Sequence, residues 1–283
     1  MIHFLRKSAQ LGELVKFSHS VFALPFALAA GWVASEGHPS PKILFLIVLA
    51  MVTARNAGMA FNRYLDAELD ARNPRTTTRP IPQKVFSKRF VLSFSVLNAI
   101  LFIIIAGRIN PLCFFLSFPT VALLYFYSFT KRFTSLSHLV LGLILGISPI
   151  AAWIAVTGEI KFAPVLLGAA VLLWVAGFDV IYATQDDAFD RKESLHSLVV
   201  RLGIPQALKL SRLFHVITLG LLLLFGSLLH LGGIYYFSIL LISFLFIYEH
   251  SLVHPSDLSR VNAAFFKVNG FISILFLCGV ILS

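Results

Sequence analysis

Apolar residues come in runs of about 20, and short segments rich in Pro, Gly and charge separate them. An α-helix of this length crosses the hydrocarbon core of a bilayer. The pattern predicts nine membrane-spanning helices, at residues 17–35, 43–65, 90–107, 111–129, 138–157, 162–184, 210–229, 233–250 and 262–282. The sequence lacks the short alternating segments of a transmembrane barrel. We therefore expect an all-α polytopic membrane protein, a single domain over 1–283, with one helical bundle around a central cavity.

Composition agrees with this class. Hydrophobic residues make up 58% of the 283, charged residues only 13%, and the mean hydropathy is +0.87. A soluble domain normally carries about 25% charged residues. The net charge of +10 would ordinarily raise the question of nucleic-acid binding. The cations do not form a continuous basic face but fall between apolar runs, so we expect no nucleic-acid partner.

The distribution of Lys and Arg predicts the orientation in the membrane. With the N-terminus inside, 18 of the 23 cations lie in inside segments and only three in outside turns. Cytoplasmic loops carry such an excess, so we predict N-in and C-out. Arg6, Lys7 and Lys16 precede the first apolar run, which is either a cleaved signal or a retained helix. We favour a retained helix because the run is long and many spans follow.

Seven of the thirteen acidic residues fall in two short stretches, and the first follows the second predicted span. Asn62, Asp66 and Asp70 are spaced i, i+4 and i+8. If the helix continues to residue 70, they form one stripe along its surface. Carboxylates this close repel each other, and a bound divalent cation would remove that conflict.

The second acidic stretch follows the sixth predicted span. Asp179, Asp186 and Asp190 share one helical face, whereas Asp187 points elsewhere. Asp179 lies inside an apolar run, where an ionised carboxylate costs at least ~2.5 kcal/mol. A single Asp at a membrane boundary is usually a solvated helix end. Two such stripes, each before a long basic loop, instead indicate a functional site.

Oxygen ligands on two helices suit Mg²⁺, which is usually shared with substrate phosphates. The loops after the stripes supply cations for such phosphates, namely Arg72, Arg75 and Arg79 after the first and Arg191 and Lys192 after the second. Carboxylates, magnesium and clustered cations together predict a diphosphate ligand.

Two further features outside these stripes are candidates for the site. Arg55, seven residues before Asn62, is inside a predicted span, and an intramembrane arginine needs a partner. That partner is either a protein acid such as Asp179 or a substrate carboxylate. Tyr127 and Lys131 are spaced i, i+4 at a helix end, which an aromatic belt and a positive-inside lysine would also explain.

These motifs resemble those of the UbiA superfamily of membrane prenyltransferases. The matching elements, which extend over most of the chain, are Asn62-x3-Asp66-x3-Asp70, Asn73-Pro74-Arg75-Thr76-x2-Arg79-Pro80, Tyr127-x3-Lys131 and Asp179-x2-Tyr182-Ala183-x2-Asp186-x3-Asp190. They are most similar to those of the 4-hydroxybenzoate polyprenyltransferase branch. One departure is Glu193-Ser194-Leu195-His196-Ser197, which, with Ala57 to Arg63, resembles a subgroup linked to the futalosine route to menaquinone.

The resemblance implies a Mg²⁺-dependent transfer of a polyprenyl group from its diphosphate to a hydroxylated aromatic carboxylate, in a bacterial inner membrane. The implied metal ligands are Asp66, Asp70, Asp186 and Asp190. The implied diphosphate-binding residues are Asn62, Arg72, Arg75, Arg79, Lys131, Arg191 and Lys192. Arg55 and Tyr182 are implied to bind the acceptor, and Asp66, Asp179 and Tyr127 to be catalytic, with the choice between Asp66 and Asp179 as base left open.

The acceptor is expected to be 4-hydroxybenzoate, with 1,4-dihydroxy-6-naphthoate as the alternative. A secondary transporter is a different class that also uses intramembrane acids, although carriers usually place them near the bilayer midplane. Haem farnesylation or a chlorophyll-type prenylation would be other reactions on the same scaffold. The sequence does not indicate the prenyl chain length or the oligomeric state.

Overall fold

The structure is a computed structural model that describes residues 10–15 and 20–283. Residues 10–14 are helical, and the helices that follow are α1 (Ser20–Ala34), α2 (Pro41–Leu65), α3 (Ala67–Arg72), α4 (Lys88–Ile109), α5 (Pro111–Thr130), α6 (Ser137–Thr157), α7 (Phe162–Ala183), α8 (Asp187–Lys192), α9 (Leu198–Leu202), α10 (Ile204–Leu228), α11 (Gly233–Ser251) and α12 (Asn269–Ile281). A 3-10 turn, Thr184–Asp186, precedes α8, and a π-helical segment, Ala263–Val268, leads into α12. This part of the chain contains no β-strand, and the predicted all-α class is confirmed.

Local sequence explains several helix ends. Helices α2 and α5 begin at Pro41 and Pro111, where the missing N–H costs no helical hydrogen bond. The side chain of Ser87 caps α4 by accepting a hydrogen bond from the Phe90 amide at 3.2 Å. Helix α6 ends at Gly158, whose φ of 73° is the left-handed conformation that favours glycine.

Within the described residues, eight helical segments are long and apolar enough to cross a membrane, and all eight were predicted from the sequence. They are Pro41–Leu65, Lys88–Ile109, Pro111–Thr130, Ser137–Thr157, Phe162–Lys192, Ile204–Leu228, Gly233–Ser251 and Ala263–Ile281. The predicted span 17–35 corresponds to α1, which has 15 residues, and residues 17–19 lie outside the described part. The count of nine spans and the inside N-terminus therefore stay predictions.

The chain divides into two compact units, and the expectation of a single domain stays a prediction. Of the described residues, the first unit contains Phe45–Phe129, residues 10–15 and Ser20, and the second contains Val21–Leu44 and Thr130–Ser283. In the first unit, polar side chains connect the helices. Ser95 of α4 donates to the carbonyl of Ala57 in α2 at 2.7 Å and lies 3.0 Å from the Tyr125 hydroxyl of α5.

In the second unit, α7 is the central helix, with 15 of its 22 residues buried. Helix α6 packs closely on it because glycines remove the side chains between them. A Cβ at Gly142 would overlap the carbonyl oxygen of Leu172, and one at Gly146 would overlap that of Gly168. Small residues allow membrane helices to approach at backbone distance.

Candidate active site

The first aspartate motif lies where one helix ends and the next begins, and the first of them ends at residue 65, as the predicted span does. Helix α2 ends at Leu65, and Asp66 has φ −91° and ψ 8° before α3 begins at Ala67. The helical bonds continue across the break, from the Asp66 amide to Asn62 O at 2.9 Å and from the Asp70 amide to Asp66 O at 2.8 Å. The predicted i, i+4, i+8 spacing therefore survives a kink of one residue.

Two polar groups of this motif are in direct contact. Asn62 Nδ2 donates a hydrogen bond to Asp66 Oδ2 at 2.9 Å. The amide thereby fixes one carboxylate oxygen of Asp66 in place. Both side chains are half-buried, so the predicted metal ligand and its neighbour remain within reach of a ligand.

Asp70 is the buried member of the motif, with 6% of its surface exposed. Arg79 Nη1 donates to its Oδ1 at 2.5 Å, and Arg63 Nη1 lies 3.9 Å from its Oδ2. A buried carboxylate needs such compensation because leaving it unpaired costs several kcal/mol. The structure thus pairs a predicted metal ligand with a predicted diphosphate-binding arginine, and adds Arg63, which sequence reasoning did not assign to the site.

The end of α3 and the turns of the loop after it leave two arginines accessible. The Asn73 side chain accepts a hydrogen bond from the Arg75 amide at 2.9 Å, and the buried Thr76 hydroxyl donates to Asp70 O at 2.9 Å. These bonds hold the loop against the end of the motif. The side chains of Arg72 and Arg75 are exposed, whereas Arg79 is half-buried against Asp70.

The second aspartate motif also departs from one continuous helix. Helix α7 ends at Ala183, a 3-10 turn spans Thr184–Asp186, and α8 begins at Asp187. The tighter turn rotates the later side chains relative to the earlier ones, so the predicted single α-helical face from Asp179 to Asp190 is corrected at this point.

The two predicted metal ligands of this motif are nevertheless more buried than Asp187, which was predicted to point elsewhere. Asp186 and Asp190 are 7% and 3% exposed, whereas Asp187 is half-buried and bonded by Arg191 Nε at 3.0 Å. Lys131 Nζ lies 3.7 Å from Asp190 Oδ2. The structure therefore brings together the cation of the predicted Tyr127–Lys131 element and an acid of the second motif.

The loop after α8 is hydrogen-bonded to the segment that contains Lys131. The His196 amide donates to Lys131 O at 2.7 Å. The Ser197 side chain caps α9 by accepting from the Val200 amide at 3.0 Å. Arg191 and Lys192, both predicted to bind diphosphate, are exposed at the end of α8.

Asp179 lies one turn before the end of α7, and its partner is a residue that sequence reasoning missed. His138 Nδ1 is 2.6 Å from Asp179 Oδ2, and the His138 side chain is completely buried. A histidine in the first turn of an apolar span was the available signal. One of the two predicted alternatives for Arg55 was a bond to Asp179, and it stays untested.

The remaining predicted residues lie as follows. Arg55 is half-buried in α2, and Tyr127 is half-buried three residues before the end of α5. The ring of Tyr182 packs against Phe265 of the π-helical segment, with centroids 4.2 Å apart. Their predicted roles are not decided by these positions.

The donor chemistry of both motifs suits a hard divalent cation. Each motif contains two of the predicted metal ligands, Asp66 and Asp70 in one and Asp186 and Asp190 in the other. Within residues 10–15 and 20–283, no three His, Cys, Asp or Glu side chains form a cluster that would hold a metal by itself. Mg²⁺ does not require such a cage, because it keeps several waters and bonds to substrate phosphates.

The described part of the chain is all-helical and has eight segments long and apolar enough to cross a bilayer. This is the fold of a multi-pass membrane protein, and it contains the two carboxylate motifs. The sequence profile of the UbiA prenyltransferase family matches residues 23–275. The chain therefore belongs to the UbiA prenyltransferase family, and it is an enzyme. This confirms the resemblance and removes the secondary-transporter alternative.

Individual relatives agree. The chain is 31% identical to a 4-hydroxybenzoate octaprenyltransferase of Vibrio campbellii, over 99% of this chain and 95% of the relative. It is 32% identical to one of Tolumonas auensis, over 97% and 95%. A UbiA homolog from Aeropyrum pernix K1 superposes with a TM-score of 0.84 at 31% identity, covering 93% of this chain and 97% of that one. A homolog from Archaeoglobus fulgidus bound to DMAPP and Mg²⁺ has a TM-score of 0.74 at 20% identity, covering 96% and 97%, and shares the fold.

Proposed function

We propose that the chain transfers a polyprenyl group from a polyprenyl diphosphate to a ring carbon of a hydroxylated aromatic carboxylate, with 4-hydroxybenzoate as acceptor. The observation that supports this most is the nearly full-length similarity to relatives named 4-hydroxybenzoate octaprenyltransferase. The reaction would serve ubiquinone or menaquinone biosynthesis. The chain would act in a bacterial inner membrane, since those relatives are bacterial and a polyprenyl chain dissolves in the bilayer.

Mg²⁺ is the proposed cofactor, held by carboxylates of both motifs, Asp66, Asp70, Asp186 and Asp190. Its chemistry is to offset the charge of the diphosphate group. Archaeoglobus homologs solved with Mg²⁺ and with Cd²⁺ support a divalent cation as cofactor. Asn62 would orient Asp66 through their hydrogen bond of 2.9 Å.

The basic residues would bind the diphosphate and stabilise it as it leaves. The exposed set comprises Arg72, Arg75, Arg191 and Lys192. Arg79 and Lys131 each lie against a predicted metal ligand, Asp70 and Asp190 respectively. We propose that these two cations pair with phosphate oxygens when substrate binds, so that no carboxylate or cation is left without compensation.

The proposed reaction conserves charge and protons as follows. The bond between C1 and the diphosphate oxygen breaks, and its electron pair leaves with the diphosphate. The allylic cation at C1 is attacked by the ring carbon beside the acceptor hydroxyl, and the proton on that carbon passes to a carboxylate, Asp179 or Asp66. Aromatic rings would shield the cation, and Tyr127 belongs to the proposed catalytic set.

The acceptor would be held by its carboxylate and its ring. Arg55 is the proposed partner of the carboxylate, because a guanidinium binds a carboxylate bidentately. Tyr182, whose ring packs on Phe265, would contact the acceptor ring. Both 4-hydroxybenzoate and 1,4-dihydroxy-6-naphthoate present these groups, so the same anchor serves either.

Product identification tests the proposal. Purified protein in lipid vesicles receives Mg²⁺, a polyprenyl diphosphate and each acceptor separately, and mass spectrometry measures the prenylated product. We expect product with 4-hydroxybenzoate and much less with the naphthoate. The reverse order would replace the acceptor and keep the reaction class. No product with either acceptor would overturn the proposal.

A further inference from the structure

The contact between His138 and Asp179 is set by the packing of α6 on α7. Gly142 and Gly146 follow His138 by four and eight residues, so all three lie on one face of α6. The facing carbonyls belong to Leu172 and Gly168, seven and eleven residues before Asp179 on α7. These spacings place the acid on the same stripe of α7.

This glycine-lined seam fixes both helices at backbone distance and in an antiparallel register. A side chain at either glycine would push the helices apart, because a Cβ would overlap a carbonyl oxygen. With the seam closed, His138 of the first turn of α6 faces Asp179 of the last turns of α7. The short contact therefore follows from helix packing and does not depend on a mobile loop.

The burial of the imidazole assigns its proton. His138 is fully buried, and its Nε2 has no hydrogen-bond partner among residues 10–15 and 20–283. A buried N–H without an acceptor costs about 1–3 kcal/mol, so the proton belongs on Nδ1, which then donates to Asp179 Oδ2 at 2.6 Å. The ring acts as a hydrogen-bond donor to Asp179.

Asp179 differs from its partner in accessibility. Its side chain keeps 16% of its surface exposed, while that of His138 keeps none. One oxygen of the Asp179 carboxylate therefore accepts a hydrogen bond from the buried His138, while the Asp179 side chain as a whole remains partly exposed. This is the arrangement of a base that is oriented by a third group.

We propose that His138 is a positioning residue that holds Asp179 as the carboxylate which accepts the acceptor's proton. The inference rests on the proposed function and resolves the choice that it leaves between Asp66 and Asp179. His138 itself does not touch the substrate. Its donated hydrogen bond holds Asp179 in one rotamer inside an apolar helix, where an unpaired carboxylate is costly.

Three variants test the role. His138→Leu removes the donor, His138→Asn restores an N–H near the position of Nδ1, and Ser137→Ala changes the adjacent buried polar residue as a matched control. We expect His138→Leu to lower kcat about 10- to 100-fold with the KM for the prenyl diphosphate unchanged. His138→Asn should recover most of kcat, and Ser137→Ala should retain the wild-type value.

A readout independent of turnover tests the bond itself. In protein labelled with ¹⁵N-histidine, His138 Nδ1–H should give a downfield proton resonance that is absent in His138→Leu and shifted upfield in Asp179→Asn. A folded His138→Leu enzyme with wild-type kcat would overturn the positioning role and leave the proposed function intact. Absence of the resonance from the wild type would overturn the inference even if prenyl transfer is observed. A wild type that shows the resonance but prenylates no hydroxylated aromatic acid would overturn the role together with the proposed function.

Discussion

Arg79 Nη1 donates a hydrogen bond to Asp70 Oδ1 at a distance of 2.5 Å. This pair connects the loop after α3 to the buried acid that ends the first aspartate motif. Arg63 approaches the other oxygen of the same carboxylate at 3.9 Å. The acid is therefore surrounded by positive charge within its own unit. A residue proposed to bind metal and a residue proposed to bind diphosphate hold each other in place.

Replacing Asp70 by Asn should abolish most activity while retaining the fold. The amide oxygen still accepts from Arg79, but the negative charge proposed to hold Mg²⁺ is lost. We expect kcat/KM to fall at least about 10- to 100-fold, the range seen even for outer partners of metal ligands. Steady-state prenyl transfer at several Mg²⁺ concentrations measures this.

The matched control for Asp70 is Glu68, two residues earlier on α3. Its exposed carboxylate pairs with Lys88 at 2.8 Å, and an exposed pair contributes little. Glu68→Gln should retain wild-type kinetics. If Asp70→Asn behaves like Glu68→Gln, Asp70 does not hold the metal.

Lys131 should matter mainly for the diphosphate. Its ammonium lies 3.7 Å from Asp190 and is proposed to pair with a phosphate oxygen when substrate binds. A charge-assisted hydrogen bond contributes about 1.5–3 kcal/mol, so Lys131→Ala should raise the KM for the prenyl diphosphate about tenfold or more. The acceptor KM should change little.

Lys161, in the turn before α7, provides the comparison for Lys131 because it pairs only with the exposed Glu159, at 3.5 Å. Lys161→Ala should leave both KM values unchanged. An equal rise of both KM values in Lys131→Ala would count against a specific contact with the diphosphate.

Arg55 should discriminate between acceptors by their charge. The proposed partner of its guanidinium is the acceptor carboxylate, which 4-hydroxybenzamide lacks. Wild-type protein should use 4-hydroxybenzoate at least about tenfold better than the amide, since a charged hydrogen bond is at stake. Arg55→Ala should bring the two kcat/KM values together, and Arg55→Lys should restore part of the difference. Undiminished discrimination in Arg55→Ala would rule out the anchor role.

A buried polar network centred on Asn269 should control stability. Asn269 donates to Glu249 at 2.7 Å and accepts from Trp174 Nε1 at 2.6 Å, and all three side chains are buried. Asn269→Ala leaves two buried polar groups without these partners, which costs about 1–3 kcal/mol for each group. Thermal unfolding in lipid should show a clearly lower Tm.

Ser243→Ala is the control for this network, because the half-buried Ser243 hydroxyl donates to the Leu240 carbonyl of its own helix. Its Tm should match the wild type. A wild-type Tm for Asn269→Ala would show that the network contributes nothing to stability.

The membrane helices were predictable because a long apolar run predicts a spanning helix independently of the helices that pack around it. The predicted spans end at residues 65 and 184, and α2 and α7 end at Leu65 and Ala183. The 3-10 turn Thr184–Asp186 that follows α7 was not predicted, because it depends on backbone hydrogen bonds that leave no trace in residue spacing.

The pairing of side chains was less predictable. Sequence reasoning assigned Arg79 and Lys131 to the diphosphate, and their contacts with Asp70 and Asp190 depend on how loops fold back. His138 was missed because its partner is 41 residues away and is brought near only by the glycine seam between α6 and α7. The roles of all these residues stay predictions.

One labelling experiment tests the central claim most directly. Wild-type protein in lipid receives Mg²⁺, a polyprenyl diphosphate and 4-hydroxybenzoate deuterated at both ring carbons beside the hydroxyl. Transfer to a ring carbon predicts a product that has gained the prenyl group and lost one of its two deuterium atoms. A product that keeps both deuterium atoms, or prenyl alcohol as the only product, would contradict the account.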